Sequence, residues 1–163
     1  MNEQFSRTAQ LIGEENVKKL FSKHVIVFGC GGVGGFVVEA LTRSGIGKIS
    51  LVDNDSVNIS NINRQIIALH STVGKQKVDV LKNRILDINP DCQVFTYNTF
   101  FLPENSHLFD FSQLSFIREF PYRNLFFENP ASYFPLSYIT SCYCTHFLPP
   151  LTKLAVLLQA ILY

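Results

Sequence analysis

The chain has 163 residues and a formal net charge of +1, with 17% charged residues and no cluster of basic side chains. This length fits one domain, and the near-neutral charge argues against a DNA-binding protein with a large electrostatic footprint, although it does not exclude an RNA substrate. The N-terminus lacks the basic and apolar regions of a signal peptide. The apolar run at 154–163 is about half as long as the roughly 20 residues that a membrane-spanning helix needs. We therefore expect a cytoplasmic protein with no membrane partner.

The first predicted elements are helical and lie before residue 23. Apolar residues at mixed helical spacings predict one or two short helices from Gln4 to Leu20. The run His24–Phe28 then predicts a strand. After the glycines that follow it, apolar residues recur at i, i+3, i+4, i+7 and i+8, which predicts a helix that packs on the sheet and ends at Ser44-Gly45: Val33, Phe36, Val37, Ala40 and Leu41.

The next predicted elements continue this alternation of strands and helices. Lys48–Val52 predicts a strand, Gly74–Ile88 a helix stopped by Asn89-Pro90, and Gln93–Thr99 a further strand. Strand, helix, strand, helix, strand with short connections is typical of a parallel sheet with right-handed crossovers. The sequence therefore predicts the N-terminal half of a Rossmann-like α/β fold, with helices on both faces of the sheet.

Three glycines between the first strand and the following helix have the spacing of a nucleotide-binding turn. Gly29 would allow the tight turn, Gly31 would let the backbone approach phosphate, and Gly34 would let the helix pack closely. The helix N-terminus then faces an anion. The alternative is a tight turn in a structural α/β domain, because such glycines also occur for steric reasons.

Polar residues after the second strand predict the rest of the site. Asp53 ends that strand, where a carboxylate can accept hydrogen bonds from both hydroxyls of an adenosine ribose; the alternative is a surface aspartate that begins a turn. Farther along the chain lie two amides and two cations: Asn61, Gln65, Arg64 and Lys77. These groups could converge on a triphosphate, and the alternative is that they form a solvated charged face.

The four cysteines show neither CxxC pairs nor the histidine spacing of a zinc site, so we predict reduced thiols and no metal-ligating residues: Cys30, Cys92, Cys142 and Cys144. Cys30 lies among the glycines. We interpret it as a small residue that fills a turn rather than as a reactive thiol.

Several sequence blocks, taken in order, resemble the E1-like adenylating enzymes, the superfamily of ThiF, MoeB and HesA proteins. Within this group the chain is most similar to the tRNA threonylcarbamoyladenosine dehydratase branch (TcdA or CsdL). The similarity covers about Phe5 to Gln113, and the blocks that carry it are residues 5–9, 27–34, 39–47, 51–55, 60–65, 68–75 and 88–92.

The resemblance implies an ATP site and a homodimer. Asp53 would hold the ribose, and Arg7 matches an arginine that reaches into the ATP site of the partner subunit. The phosphates would be held by Asn61, Arg64 and Lys77, with Gln65 supporting the same pocket. Arg64, Lys77 and Arg7 are therefore the predicted catalytic residues.

The resemblance also implies a reaction. A carboxylate attacks the α-phosphate of ATP, with Mg²⁺ bound, and gives an acyl-adenylate and pyrophosphate. In the dehydratase branch the carboxylate belongs to the threonylcarbamoyl group of a tRNA adenosine, and ring closure follows with net loss of water. The alternatives are a sulfur-carrier-protein adenylyltransferase of the ThiF or MoeB type, a non-catalytic nucleotide-binding remnant and, more weakly, a dehydrogenase.

The composition changes near Gln113. Every glycine lies at or before Gly74, five of the seven prolines follow Gln113, and no aspartate follows Asp110, so the family's magnesium-binding aspartate has no counterpart. We therefore expect an ATP-binding E1-like domain at residues 1–113 and a non-family tail at 114–163, as a frameshift or a truncation would produce. A half sheet of this kind would be marginally stable and prone to aggregation.

Overall fold

The computed structural model describes residues 3–109, residue 111 and residues 116–119. A 3₁₀ turn, Glu3–Phe5, leads into two short helices, α1 (Ser6–Ile12) and α2 (Glu14–Ser22). Gly13 separates them with a φ of 85°, a value that favours glycine. The rings of Phe5 and Phe21 pack edge to face, 5.1 Å between centroids, so the two predicted N-terminal helices form a small core of their own.

Within the described residues, the sheet has four parallel strands in the order β3-β2-β1-β4. They are β1 (His24–Phe28), β2 (Lys48–Val52), β3 (Gln93–Tyr97) and β4 (Phe116–Glu119). In register, His24 of β1 lies beside Lys48 of β2, and Val25 lies beside Phe116 of β4. The predicted bounds of β1 and β2 are confirmed, whereas β3 ends at Tyr97, before the predicted Thr99.

Two long helices connect the first three strands, one between β1 and β2 and the other between β2 and β3. Helix α3 (Gly32–Ser44) ends where Gly45 adopts a left-handed conformation and donates its N–H to the end of the helix. Helix α4 (Lys77–Ile88) begins later than the predicted Gly74. The prediction was wrong there because Gln76 is extended and forms an isolated antiparallel bridge with Ser56.

The side chains of β1, β2 and β3 contribute to two cores, one on each face of the sheet. On one face, alternate strand residues such as Val27 and Leu51 pack with α3 and α4 in a single buried cluster. On the opposite face, Ile26, Phe28 and Val52 pack against Phe109, together with partly buried aromatic residues from 97–111. Both faces are therefore covered along the central strands, and the Rossmann-like fold class is confirmed.

Strand β4 lies in a segment to which the sequence patterns assigned no role in the fold. After β1, β2 and β3 have been laid down in one direction, the chain returns to place β4 on the free side of β1. The strand order therefore reverses at β1, and in open parallel sheets ligands bind at the carboxyl ends of the strands beside such a switch point. Apart from Arg7 on α1, the predicted site residues follow the carboxyl ends of β1 and β2.

In the part of the chain that the structure describes, no helix combines the length and apolarity needed to cross a membrane. The apolar run at 154–163, Cys142, Cys144 and most of the predicted tail lie outside the described residues.

Candidate nucleotide-binding site

The glycine loop, residues 29–34, begins directly after β1. Gly29 has a φ of 89° and donates its N–H to the carbonyl of Val52 over 2.8 Å, which ties the loop to the end of β2. Gly31 precedes the first residue of α3, and Gly34 is buried in the first turn of that helix. The loop therefore has the predicted strand-to-helix geometry, with the N-terminus of a helix of 13 residues behind it.

Asp53 is buried at the end of β2, and backbone N–H groups hold both of its carboxylate oxygens. Oδ2 accepts from the N–H of Cys30 over 2.6 Å, and Oδ1 accepts from the N–H of Asp55 over 2.8 Å. Each oxygen has a second lone pair with which to accept from a ligand hydroxyl. The carboxylate is therefore fixed against the glycine loop, as the predicted ribose contact requires.

Cys30 supplies a backbone donor to this arrangement, while its thiol is packed into the core. Burial, with a smaller contribution from the Asp53 carboxylate, raises the pKa of the Cys30 thiol far above its usual range. The thiol therefore stays neutral, and its interpretation as a small packing residue is confirmed. Cys92 is also buried, which raises the pKa of its thiol to about 11.

The amide segment, residues 58–65, lies against the glycine loop. Asn58 accepts from the Ser60 N–H over 3.0 Å, and its own N–H donates to Oδ1 of Asn61 over 3.0 Å, so the two side chains cap one 3₁₀ turn reciprocally. A Cβ atom added to Gly32 would lie 3.5 Å from the carbonyl oxygen of Arg64. The backbone of the amide segment therefore packs directly on the loop.

Gln65 extends from the amide segment to the loop, and its amide contains an unused acceptor. The residue is 8% exposed, and Nε2 lies 3.6 Å from where a Cβ of Gly31 would be. Its Oε1 is buried with no hydrogen-bond partner among the described residues. A buried orphan acceptor is costly unless a ligand or a water donates to it. This atom therefore fits a ligand that carries hydrogen-bond donors.

The predicted cations lie in different surroundings. Arg64 is exposed, and its Nη1 donates to the Ser60 carbonyl over 2.8 Å and to Asn63 Oδ1 over 2.9 Å, so its guanidinium is held by its own segment. Lys77 is buried at the start of α4, and its Nζ donates to Asp55 Oδ2 over 2.7 Å. The described contacts place Asp53 and Gln65 against the glycine loop and Lys77 against Asp55, but they do not join the Arg64 side chain to these groups.

Arg7 is exposed on α1, and its predicted role concerns a second subunit, so that role stays a prediction. Two further residues of the site region were not predicted. Asp55 contacts Lys77, and its position two residues after the strand-ending Asp53 was the available signal. Gly35 was missed as well, although a Cβ there would lie 3.1 Å from Cγ2 of Ile66, closer than the contact at Gly31.

These features together define an α/β protein of the doubly wound class with a candidate nucleotide-binding site. A glycine loop joins a parallel strand to a helix N-terminus, a buried carboxylate lies at the end of the adjacent strand, and both flank the switch point beside β1.

Comparison with known proteins gives the family. The model described as "ThiF family" matches residues 5–119, and the chain belongs to this family. The match runs past Gln113 and includes β4. The predicted resemblance to the ThiF superfamily is thereby confirmed.

Named relatives include tRNA threonylcarbamoyladenosine dehydratases. The chain is 51% identical to the one from Bacillus subtilis over 109 residues, which cover 67% of this chain and 43% of that protein. It is 45% identical to the Escherichia coli protein over 103 residues, covering 63% and 38%. The structure of the E. coli dehydratase TcdA in complex with ATP superposes with a TM-score of 0.70 at 40% identity, covering 72% of this chain and 48% of that one. The chain thus spans less than half the length of these relatives.

Proposed function

We propose that this chain binds ATP and contributes the nucleotide-binding part of an adenylating enzyme of the dehydratase type. The carboxylate of Asp53 carries the proposal, since two backbone N–H groups hold it against the glycine loop. A carboxylate fixed in this way accepts from the two vicinal hydroxyls of a ribose without reorganising. The E. coli relative that superposes on this chain is described as a complex with ATP.

Each predicted group then has a chemical task. The glycine loop and the N-terminus of α3 offer backbone N–H groups to the phosphates, and Lys77 and Arg64 stabilise the charge that develops there. The buried Oε1 of Gln65 accepts a hydrogen bond from a donor, and the ribose hydroxyls, the adenine amino group and an ordered water all supply one. Asn61, whose backbone carbonyl accepts from the Gln65 N–H over 2.9 Å, would add a side-chain amide donor to the phosphates.

In the proposed reaction, a carboxylate oxygen of the substrate forms a bond to the α-phosphorus of ATP. The bond from that phosphorus to the bridging oxygen breaks, and pyrophosphate leaves with the electron pair. A bound Mg²⁺ would supply positive charge to neutralise the phosphate oxygens, and it would be held largely by those phosphates and by water, with few protein carboxylates. The products are an acyl-adenylate and pyrophosphate.

The proposed substrate is the carboxylate of the threonylcarbamoyl group on a tRNA adenosine. A nucleophilic atom of the same group then attacks the activated carbonyl and gives up its proton, the bond from that carbonyl carbon to the AMP oxygen breaks, and AMP leaves as the ring closes. The names of the B. subtilis and E. coli relatives support this choice. A cytoplasmic homodimer, in which Arg7 reaches the partner's site, belongs to the same proposal. Nothing in the described residues favours a sulfur-carrier substrate over the tRNA.

Isothermal titration of the purified chain with ATP tests the proposal. We expect ATP to bind the wild-type chain and Asp53→Ala to abolish measurable binding, because the variant removes both ribose acceptors. Asp79→Ala is the matched control, since it removes the same charge from an exposed position in the first turn of α4. A folded wild-type chain that does not bind ATP, or that binds NADH as tightly, would contradict the proposal.

A further inference from the structure

Asp55 contacts both of the residues that are proposed to hold the two ends of the nucleotide. Its backbone N–H donates to Asp53 Oδ1 over 2.8 Å, and its backbone carbonyl accepts from the Lys77 N–H over 3.0 Å. Its side-chain Oδ2 accepts from Lys77 Nζ over 2.7 Å. A single residue therefore connects the ribose carboxylate to the lysine at the start of α4.

The two partners of this ion pair differ in exposure. The side chain of Lys77 is 6% exposed, whereas that of Asp55 is 55% exposed. A buried ammonium on a flexible four-carbon stem needs a fixed partner, while a half-exposed carboxylate is solvated without one. The pair therefore matters more for where Lys77 lies than for where Asp55 lies.

Both ends of the Lys77 side chain are held by the same neighbour. The backbone N–H of Lys77 is bound to the Asp55 carbonyl, and the adjacent Gln76 pairs with Ser56, so the base of the stem is fixed. Across residues 3–109, Asp55 is the sole hydrogen-bond partner of Nζ. An ammonium carries three donors, so two remain for phosphate oxygens while the third stays on Asp55.

We propose that Asp55 is a positioning residue that holds the ammonium of Lys77 at the phosphate end of the nucleotide site. The proposal rests on the ATP site proposed above. Asp55 acts through Lys77 and does not itself touch the nucleotide. Its effect is therefore confined to ligands that carry phosphates, and it disappears when Lys77 is replaced.

Titrations of the purified chain with ATP and with adenosine, which lacks phosphates, test this role. We expect Asp55→Ala to weaken ATP binding by about tenfold, as for loss of a charge-assisted contact, and to leave adenosine binding within about twofold. Asp79→Ala is the charge-matched control and should leave both affinities unchanged. In a Lys77→Met background, which keeps the apolar stem, Asp55→Ala should have no further effect.

Three results would overturn the positioning role. Equal or tighter ATP binding by Asp55→Ala would mean that the Asp55 carboxylate competes with phosphate for Lys77. An equal loss of affinity for adenosine would mean general damage to the site. A loss of ATP affinity that persists in the Lys77→Met background would mean that Asp55 acts on the nucleotide without Lys77. Asp55→Asn, which keeps a side-chain oxygen, is expected to lose less than Asp55→Ala and replaces it if circular dichroism shows that the alanine variant is unfolded. Wild-type chain that binds neither ligand would instead refute the ATP site itself.

Discussion

Substituting Gly47 by alanine should destabilise the protein strongly, because the space beside it is filled by backbone. A Cβ atom at this position would lie 1.8 Å from the carbonyl oxygen of Phe21 and 2.7 Å from its carbonyl carbon. Backbone atoms cannot rotate away as the end of a side chain can. The C-terminal end of α2 must therefore move away from the connection between α3 and β2.

That movement disrupts hydrogen bonds as well as packing. Gly47 donates its N–H to the Leu20 carbonyl over 3.2 Å and accepts from the Gln93 N–H over 2.9 Å. Overpacking of this severity, with one backbone hydrogen bond weakened, should lower the free energy of unfolding by roughly 2–4 kcal/mol. This is a large part of the 5–15 kcal/mol that is typical of a folded domain.

Urea denaturation followed by circular dichroism measures the effect. Gly32→Ala is the matched control, since its Cβ would meet its nearest atom, the Arg64 carbonyl oxygen, at an ordinary 3.5 Å. We expect the control to stay within about 0.5 kcal/mol of the wild type. Gly47→Ala falling within the same margin would refute the steric reasoning.

Three further predictions concern the nucleotide site, the ion pairs between α3 and α4, and the C-terminal tail. Lys77→Ala should slow ATP-pyrophosphate exchange at least about a hundredfold in an intact homologue, and normal exchange would remove Lys77 from the catalytic residues. Burial of Glu39 opposes its ionisation, but hydrogen bonds and charges from Arg84 and Arg43 outweigh this and lower the pKa of Glu39. The ionised carboxylate therefore stabilises the fold at neutral pH, and this contribution is lost as the pH falls below about 4. Urea denaturation should accordingly show that Glu39→Gln lowers the free energy of unfolding at pH 7 and that the difference from the wild type shrinks in acid. The family match ends at residue 119, so a frameshifted tail is taken to begin after that residue. It predicts that family-like sequence resumes in another reading frame downstream of the residue 119 codon, and nucleotide sequencing that finds none would contradict it.

Strands β1 and β2 could be predicted to the residue because each is an apolar run with a chemical marker at its end, Gly29 or Asp53. The start of α4 could not be predicted so closely. Gly74 is a strong turn signal, but the turn continues to Gln76 through its bridge to a residue far back in the sequence. Such pairing leaves no local mark in the sequence.

Strand β4 was missed for a related reason. Phe116–Glu119 has two apolar residues followed by two charged ones, with no alternation, and its place in the sheet depends on pairing with β1, which is distant in the sequence. In the site, residue types alone placed Asp53 at a strand end. The contact of Asp55 with Lys77 joins residues 22 positions apart and could be found only in three dimensions.

The predicted ATP-binding groups of one subunit, apart from the Arg7 supplied by its partner, all lie within one continuous stretch, from Gly29 to Lys77. Their main tertiary contacts, Cys30 to Asp53 and Asp55 to Lys77, each close a loop of little more than 20 residues. Closing loops of this size costs little entropy. These two contacts can therefore form early in folding, whereas the Asp53 N–H also donates to the carbonyl of Tyr97 in β3 over 3.2 Å, so the end of β2 is completed only when β3 pairs with it.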